Sequence, residues 1–133
     1  MLAAADAMIG KAREAMKTQA LHQVLNAVWA VVADANRYFA GEAPWALAKT
    51  DPPRQGTVLY VTAEVIRQVA ILCQPFVPAS AAKLLDLLAI PAAERGFDRL
   101  GKPNTRIAAG ATLPAPAPVF PRYVESAASA GQT

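Results

Sequence analysis

The stretch LHQVLNAVWAVVADANRYFAGEAPW, residues 21–45, carries the clearest structural signal in the chain. Its apolar side chains recur every three or four positions, as on one face of an α-helix; they are Leu21, Leu25, Val28, Val32, Ala35 and Phe39. The helix is predicted to end at Gly41, because glycine suits the left-handed position that follows a helix. Pro44 can then open a short helix that runs to about Lys49, which places Trp45 at a helix start.

Three other stretches show the same helical spacing. One precedes residues 21–45, with an apolar stripe of Leu2, Ala5, Ile9, Ala12 and Met16, and Thr18 is expected to cap the helix that follows it. A third long helix is expected after Asp51, which can cap it; its stripe is Val58, Thr62, Val65, Val69 and Leu72, widened by Leu59, Ile66 and Cys73. A fourth begins at Pro78 and closes at Pro91, with Ala81, Leu84, Leu85 and Leu88 facing inward. Residues 1–92 are therefore predicted to form an all-α, antiparallel bundle of about four helices.

The helical periodicity ends after residue 92. Residues 93–124 are rich in proline and glycine, which is typical of extended, turn-rich chain. Apolar residues still occur in this arm, which predicts that it packs back on the body of the protein; they are Leu100, Ile107, Leu113, Val119 and Phe120. Residues 125–133 are expected to form a disordered polar tail.

Length and composition exclude several classes of protein. A chain of 133 residues and 14.0 kDa fits one domain, and 54% hydrophobic against 17% charged residues predicts a packed core. One cysteine and one histidine exclude a disulfide framework and a Cys/His zinc site. No nucleophile–base pair or glycine-rich phosphate loop is present, so no catalytic or metal-binding residues are predicted. Without a targeting signal or a sufficiently long apolar run, a cytoplasmic protein that does not contact a membrane is expected.

The net charge of +3 is concentrated in the arm. Residues 95–106 contain four basic side chains and one acidic side chain. A cluster of this size can contact phosphates, but it is smaller than the basic face of a dedicated nucleic-acid-binding protein. A solvated surface loop explains the same pattern equally well.

The two tryptophans lead to different expectations. Trp45 can either offer an exposed ring on a rigid helix corner, where a nucleic-acid base can stack, or close the end of the core. Trp29 adjoins Val28 of the second predicted helix and is expected in the core. For the side chains alone, burial is the more usual state of both rings.

Other polar candidates have ordinary structural explanations. Arg37 can contact a phosphate or pair with Asp34 three residues earlier on the helix surface. Glu64 and Arg67 have the same spacing and are expected to form a surface ion pair. Cys73, on an apolar face, is expected to be a small core residue.

The motifs of this chain, in their residues and in their order, resemble those of one protein family. The segments Leu21–Trp29, Ala35–Phe39 and Ala43–Lys49 resemble the C-terminal anticodon-binding domain of bacterial methionine–tRNA ligases, which are class I aminoacyl-tRNA synthetases. Further matching segments follow: Glu64–Arg67, Gln74–Pro78 and Pro118–Tyr123. The resemblance covers residues 1–124, and Asn-Arg-Tyr followed by Ala-Pro-Trp-x-x-x-Lys is its most specific part.

The resemblance implies a function and a set of residues. It implies that Trp45 stacks on an anticodon base of a methionine-accepting tRNA, and that Asn36 and Arg37 support this corner. Lys49 and Arg54, or the basic arm, are then expected to contact phosphates. Family members also read the anticodon with residues of an earlier helix, which would lie upstream of Met1.

The resemblance also implies partners and an absence of catalysis. The signatures of the catalytic domain are missing, so this chain is expected to be inactive alone and to hold no cofactor, while the parent ligase would use ATP and Mg. The catalytic domain of the same ligase is an expected partner, and the arm would return towards it, which leaves Leu113, Val119 and Phe120 exposed without it. The alternative is a helical interaction module that docks on a separate catalytic subunit and does not bind RNA alone.

Overall fold

A computed structural model describes residues 1–124 of the chain. It contains four longer helices and one short helix: α1 (Leu2–Lys17), α2 (Leu21–Glu42), α3 (Pro44–Thr50), α4 (Pro52–Cys73) and α5 (Pro78–Leu87). Three short 3₁₀ segments follow at Ala92–Glu94, Phe97–Arg99 and Pro103–Thr105. No strand occurs among the described residues, and the all-α helical bundle predicted from the apolar spacing is confirmed.

The helix ends depend on local chemistry, and two of them differ from the prediction. Asp51 caps α4 as expected, since its carboxylate accepts a hydrogen bond from the Arg54 backbone N–H at 3.1 Å. Thr18 instead lies at the end of α1, where its hydroxyl donates to the Ala15 carbonyl at 3.2 Å. α2 continues past Gly41, and Ala43 takes the left-handed conformation with φ 45°.

The core lies between α1, α2, α4 and α5. Its fully or nearly buried side chains include Ala5, Met8, Val28, Val58, Val65, Ile71 and Leu85. Small residues on α1, among them Ala5 and Ala12, let that helix approach its neighbours closely. Leu100 of the arm completes this core, whereas Leu113 and Phe120 remain exposed.

Two expectations about burial are wrong. Trp29 is 64% exposed, because the buried face of α2 is centred on Val24, Val28 and Val31 and not on the side that carries Trp29. Glu64 and Arg67 pair as predicted but inside the protein, with side-chain exposures of 0% and 2%. Helical spacing alone cannot show this, because the arm that covers the pair comes from distant sequence.

The buried pair belongs to a polar network that fastens the arm to the bundle. Glu64 accepts two hydrogen bonds from Arg67, at 2.9 and 2.7 Å, and one from the Ile107 backbone N–H at 3.1 Å. The Gln68 amide donates to Glu64 at 3.1 Å and to Asp6 of α1 at 3.0 Å. Each buried charge therefore has a partner, as burial in a low-dielectric interior requires.

Asp6 extends the network to a second residue of the arm. Arg106 forms an ion pair with Asp6 at 2.8 Å, and the Tyr60 hydroxyl donates to the Ile107 carbonyl at 2.8 Å. Residues 106 and 107 are thus held to both α1 and α4. Residues 125–133, predicted to be a disordered tail, lie outside the described part of the chain.

α4 is the one described helix that is long and apolar enough to cross a membrane, judged by length and composition. It packs against α1, α2, α3 and α5, and it carries the buried Glu64, Arg67 and Gln68. Long apolar helices at the centre of a bundle share these properties.

Candidate nucleic-acid interface

The turn between α2 and α3 places Trp45 on the outside of the molecule. Ala43 is the single residue between the two helices, and its left-handed backbone ends α2 and redirects the chain at once. Pro44 follows at the first position of α3 and is buried, which anchors the new helix. Trp45 comes next and is 63% exposed. The one-residue connection and the buried proline therefore place the indole on the outside of the turn.

Phe39 supports the Trp45 ring from α2. The two rings meet in an edge-to-face arrangement, with centroids 6.0 Å apart and an interplanar angle of 61°. Such pairs contribute about 0.5–1.5 kcal/mol beyond the area they bury. Since Phe39 is itself partly buried, it links the exposed indole to the body of α2. The contact orients Trp45 and leaves much of its surface open.

Arg54 and Glu42 form an ion pair beside the turn between α2 and α3, which is called the corner below. The Arg54 guanidinium donates two hydrogen bonds to the Glu42 carboxylate, at 3.0 and 2.5 Å. This pair joins the end of α2 to the first turn of α4, with α3 between them in the chain. The hydrogen bond that Arg54 donates to Glu42 and the charge of that carboxylate raise the pKa of Arg54. The guanidinium is therefore already engaged by a protein carboxylate.

The remaining predicted residues differ in their surroundings. Lys49 lies one turn after Trp45 on α3, is exposed, and takes part in none of the ion pairs formed within residues 1–124. Asn36 is exposed on α2, three residues before Phe39, so both lie on one side of the helix. Arg37 points elsewhere and pairs with Asp34 on the helix surface. Trp45 and Lys49 thus share a face, with Asn36 near the supporting ring.

Two residues of the corner were missed by sequence reasoning. Phe39 was assigned to the apolar stripe of α2, and Glu42 received no role at all. A signal for Glu42 exists, since it is the acidic residue closest before the turn and Arg54 is the basic residue at the start of the next long helix. The pairing itself depends on the direction in which α3 leads the chain, which local sequence does not specify.

The side chains of this corner are suited to binding. No group of three or more His, Cys, Asp and Glu side chains that could hold a metal ion occurs among residues 1–124. An exposed aromatic ring, a nearby free lysine and a rigid backbone corner instead match how proteins hold unpaired bases. The fold and this corner together define an all-α bundle with an exposed aromatic ring at one turn.

Comparison with known proteins identifies the family. The family model described as the anticodon-binding domain of methionyl tRNA ligase matches residues 1–131. The chain belongs to this family. It is 64% identical over 123 residues to the methionine–tRNA ligase of Brucella suis, and 43% identical over 127 residues to that of Mycobacterium tuberculosis. The resemblance inferred from the motifs is thereby confirmed.

The match extends to solved structures and shows how much of the relatives is represented. The apo structure of the Mycobacterium tuberculosis methionyl-tRNA synthetase superposes on this chain with a TM-score of 0.85 at 42% identity. The matched region covers 94% of this chain and 25% of the synthetase chain. The two relatives named above are covered to 23% and 24% of their length. The chain therefore spans about a quarter of the ligases it matches.

Proposed function

We propose that this chain binds the anticodon loop of a methionine-accepting tRNA through stacking of a base on Trp45, as part of a methionine–tRNA ligase used in translation. The observation that carries the proposal is the exposure of Trp45 at a corner held by Phe39 and by the pair of Arg54 and Glu42. A ring that is already oriented loses little conformational freedom when a base stacks on it. Membership in a family of anticodon-binding domains supports the same assignment.

The charged residues of the corner take different roles in this proposal. Lys49 contacts a phosphate, because its ammonium is exposed on the face of α3 that carries Trp45. Arg54 acts chiefly by bracing the corner, because Glu42 engages the Nε–Nη2 edge of its guanidinium with two hydrogen bonds. Asn36 supports the corner from α2, whereas Arg37 is engaged by Asp34 and takes no direct part. With so few free cations the affinity is expected to be modest and sensitive to salt.

The rest of the ligase supplies the reaction. We propose that the catalytic domain of the same ligase is a partner of this chain, and that ATP and Mg act there, with no cofactor held by these residues. The chain by itself is then a tRNA-binding component without ligase activity, working in the cytoplasm where tRNA is charged. The alternative, a docking module that does not bind RNA alone, predicts no affinity for an isolated anticodon stem-loop.

The two tryptophans provide a matched test. Trp45 and Trp29 are exposed to nearly the same degree, 63% and 64%, so replacing either removes a similar exposed ring. A stem-loop carrying the methionine anticodon is titrated into the wild type, Trp45→Ala and Trp29→Ala, with binding followed by anisotropy of a labelled RNA. Trp45→Ala is expected to weaken binding by about 1–3 kcal/mol, and Trp29→Ala to leave it unchanged.

Two results would overturn the proposal. The first is equal affinity of the wild type and Trp45→Ala, which would remove the stacking role. The second is a wild-type chain that does not bind the stem-loop at low salt, which would favour the docking module. A stem-loop with an altered anticodon but the same stem controls for binding to the backbone alone.

A further inference from the structure

A cavity, called the apolar cavity below, lies at the end of the bundle where α1 meets α2. Its volume is about 460 Å³, which is within the range of small-molecule sites. Side chains of α1, α2, the end of α4 and the arm line it, among them Ile9, Val24, Leu72, Phe76 and Leu100. Of the described residues that line the cavity, Arg13 alone carries a charge. The interior is therefore suited to the hydrocarbon part of a ligand.

Three large apolar side chains form the mouth of the apolar cavity. Met16, Leu21 and Phe97 all line the cavity, and each is about half exposed. Met16 and Leu21 flank the turn between α1 and α2, where Gln19 takes the left-handed conformation with φ 56°. Phe97 reaches the same place from the arm. Apolar surface that is both exposed and concave is typical of a binding site.

A smaller pocket, called the polar pocket below, adjoins the apolar cavity. Its volume is about 270 Å³, and its lining includes Asp6, Asp98 and Lys102. Four residues line both spaces: Ile9, Arg13, Phe97 and Leu100. A ligand can therefore place an apolar part in the cavity and a polar part in the pocket, with Arg13 between them.

The charges of the polar pocket favour an anion. The Asp6 carboxylate is paired with Arg106 at 2.8 Å, and the Asp98 carboxylate lies 3.5 Å from the guanidinium of the next residue in the chain. Arg13 and Lys102 are both exposed, and neither takes part in an ion pair formed within residues 1–124. The two carboxylates are thus engaged, while the two cations are available to a ligand.

We propose that the apolar cavity and the polar pocket together bind a small amphiphilic carboxylate. Its hydrocarbon part lies among Met16, Leu21 and Phe97, because apolar groups gain free energy on leaving water. Its carboxylate lies at Arg13 and Lys102, because cations that no protein carboxylate engages attract an anion and donate hydrogen bonds to it. An uncharged hydrocarbon would leave both cations unused, and RNA has no apolar group to fill the cavity.

The proposed site is separate from the anticodon interface. Leu21 begins α2, whereas Phe39, which supports Trp45, lies near the other end, and the helix between them rises about 27 Å. The inference therefore goes beyond the proposed tRNA binding and does not depend on it.

The test uses octanoate and octan-1-ol as probes, because both have the same hydrocarbon chain and only octanoate is charged at neutral pH. The chain is labelled with ¹³C at its methionine methyl groups, and each probe is titrated in while these signals are followed by NMR. The Met16 signal is expected to shift, whereas that of Met8, which is fully buried and lines neither space, is expected to stay. Octanoate is expected to bind several-fold more tightly than octan-1-ol.

Arg13→Gln tests the charged part of the site. It removes one exposed cation and is expected to weaken octanoate binding roughly threefold to fivefold, while octan-1-ol binds as before. Lys11→Gln is the matched control, because Lys11 is also an exposed cation of α1 but lines neither the apolar cavity nor the polar pocket. It is expected to bind both probes like the wild type.

Leu21→Asp tests the apolar part. It places a charge at the mouth of the cavity and is expected to weaken the binding of both probes roughly tenfold or more. Leu113→Asp is its control, because Leu113 is also about half exposed but lies outside both spaces. Circular dichroism checks that each variant is folded.

Several results would overturn the proposal. They are a Met16 signal that neither probe shifts, equal affinities of the wild type for octanoate and octan-1-ol, or wild-type affinity for octanoate in a folded Arg13→Gln or Leu21→Asp variant. Sedimentation showing a dimer that Leu21→Asp abolishes would assign the cavity to a second copy of this chain. Binding to phosphatidylglycerol vesicles, without binding of octanoate, would assign it to a membrane.

The carboxylate-binding and tRNA-binding proposals can fail separately. Trp45→Ala is expected to lose affinity for the anticodon stem-loop and to bind octanoate like the wild type. Leu21→Asp is expected to show the opposite pattern. Octanoate that displaced the stem-loop from the wild type would place both ligands at one site, and would contradict the separation of the cavity from the corner.

Discussion

The ring of Phe39 meets the ring of Trp45 edge to face across the α2–α3 corner, with centroids 6.0 Å apart. The contact packs the exposed ring of Trp45 against the partly buried ring of Phe39, so α2 helps to orient the indole. Trp45 is positioned by this contact together with the buried Pro44 beneath the start of α3. The corner therefore presents an exposed indole whose orientation is set by these two contacts.

Replacing Phe39 with leucine tests this positioning. Phe39→Leu keeps an apolar side chain but removes the edge-to-face contact, which is worth about 0.5–1.5 kcal/mol. We expect affinity for the anticodon stem-loop to fall, but by less than in Trp45→Ala, because the stacking ring remains. Anisotropy titrations of both variants measure this order. A Phe39→Leu variant with wild-type affinity would show that the indole needs no support from α2.

Glu42→Gln separates two possible roles of Arg54. If Arg54 braces the corner, removing the carboxylate charge weakens its contact with Glu42 and loosens the corner. The affinity for RNA then falls, while the slope of log affinity against log salt concentration stays the same. This is the expected outcome, because Glu42 holds the guanidinium with two hydrogen bonds. Titrations at several salt concentrations provide the slope. Higher affinity with a steeper slope would instead show Arg54 contacting phosphate once it is released.

Lys49→Ala is expected to weaken RNA binding and to reduce the salt slope by about one unit, as the loss of a single phosphate contact should. The reduction should be similar for different anticodon sequences, because a phosphate contact carries no sequence information. The same salt titrations measure both quantities. Lys17→Ala serves as a control, since Lys17 is an exposed lysine at the end of α1 that pairs with Glu14. An unchanged slope in Lys49→Ala would remove this residue from the interface.

Two ion pairs of equal spacing should differ sharply in their contribution to stability. Glu64→Gln breaks a pair that is excluded from solvent, and breaking such a pair costs about 3–5 kcal/mol because a buried charge is left uncompensated. Glu14→Gln breaks the exposed pair with Lys17 at 2.7 Å, which should change stability by less than about 1 kcal/mol. Urea denaturation gives the free energy of unfolding for each. Similar values for the two variants would contradict the burial of Glu64.

Burial raises the pKa of the Cys73 thiol above its ordinary value of 9.0. A group whose pKa is raised by folding favours the folded state below its unfolded pKa, and that stability is lost as pH rises through the folded pKa. The free energy of unfolding should therefore decrease above about pH 9 more steeply in the wild type than in Cys73→Ala. Denaturation curves for both proteins between neutral and alkaline pH measure the difference. Parallel curves would contradict the shift.

Local sequence was sufficient for the helices and for the position of the corner. Apolar spacing and the prolines at 44, 52 and 78 mark helices that the structure confirms, because both act within a few residues of chain. Asp51 was likewise predicted as a cap, and accepts the expected hydrogen bond. The amino-acid sequence of residues 35–49 was specific enough to indicate the family by itself.

Tertiary structure decided which faces are covered, and this is where sequence reasoning was wrong. Trp29 was expected in the core and lies outside, while Glu64 and Arg67 were expected outside and lie inside. The periodicity of a helix shows which residues share a face, but burial depends on what packs there. For Glu64 that partner is the Ile107 backbone, 43 residues away, whereas Trp29 of α2 stays 64% exposed in the described part of the chain.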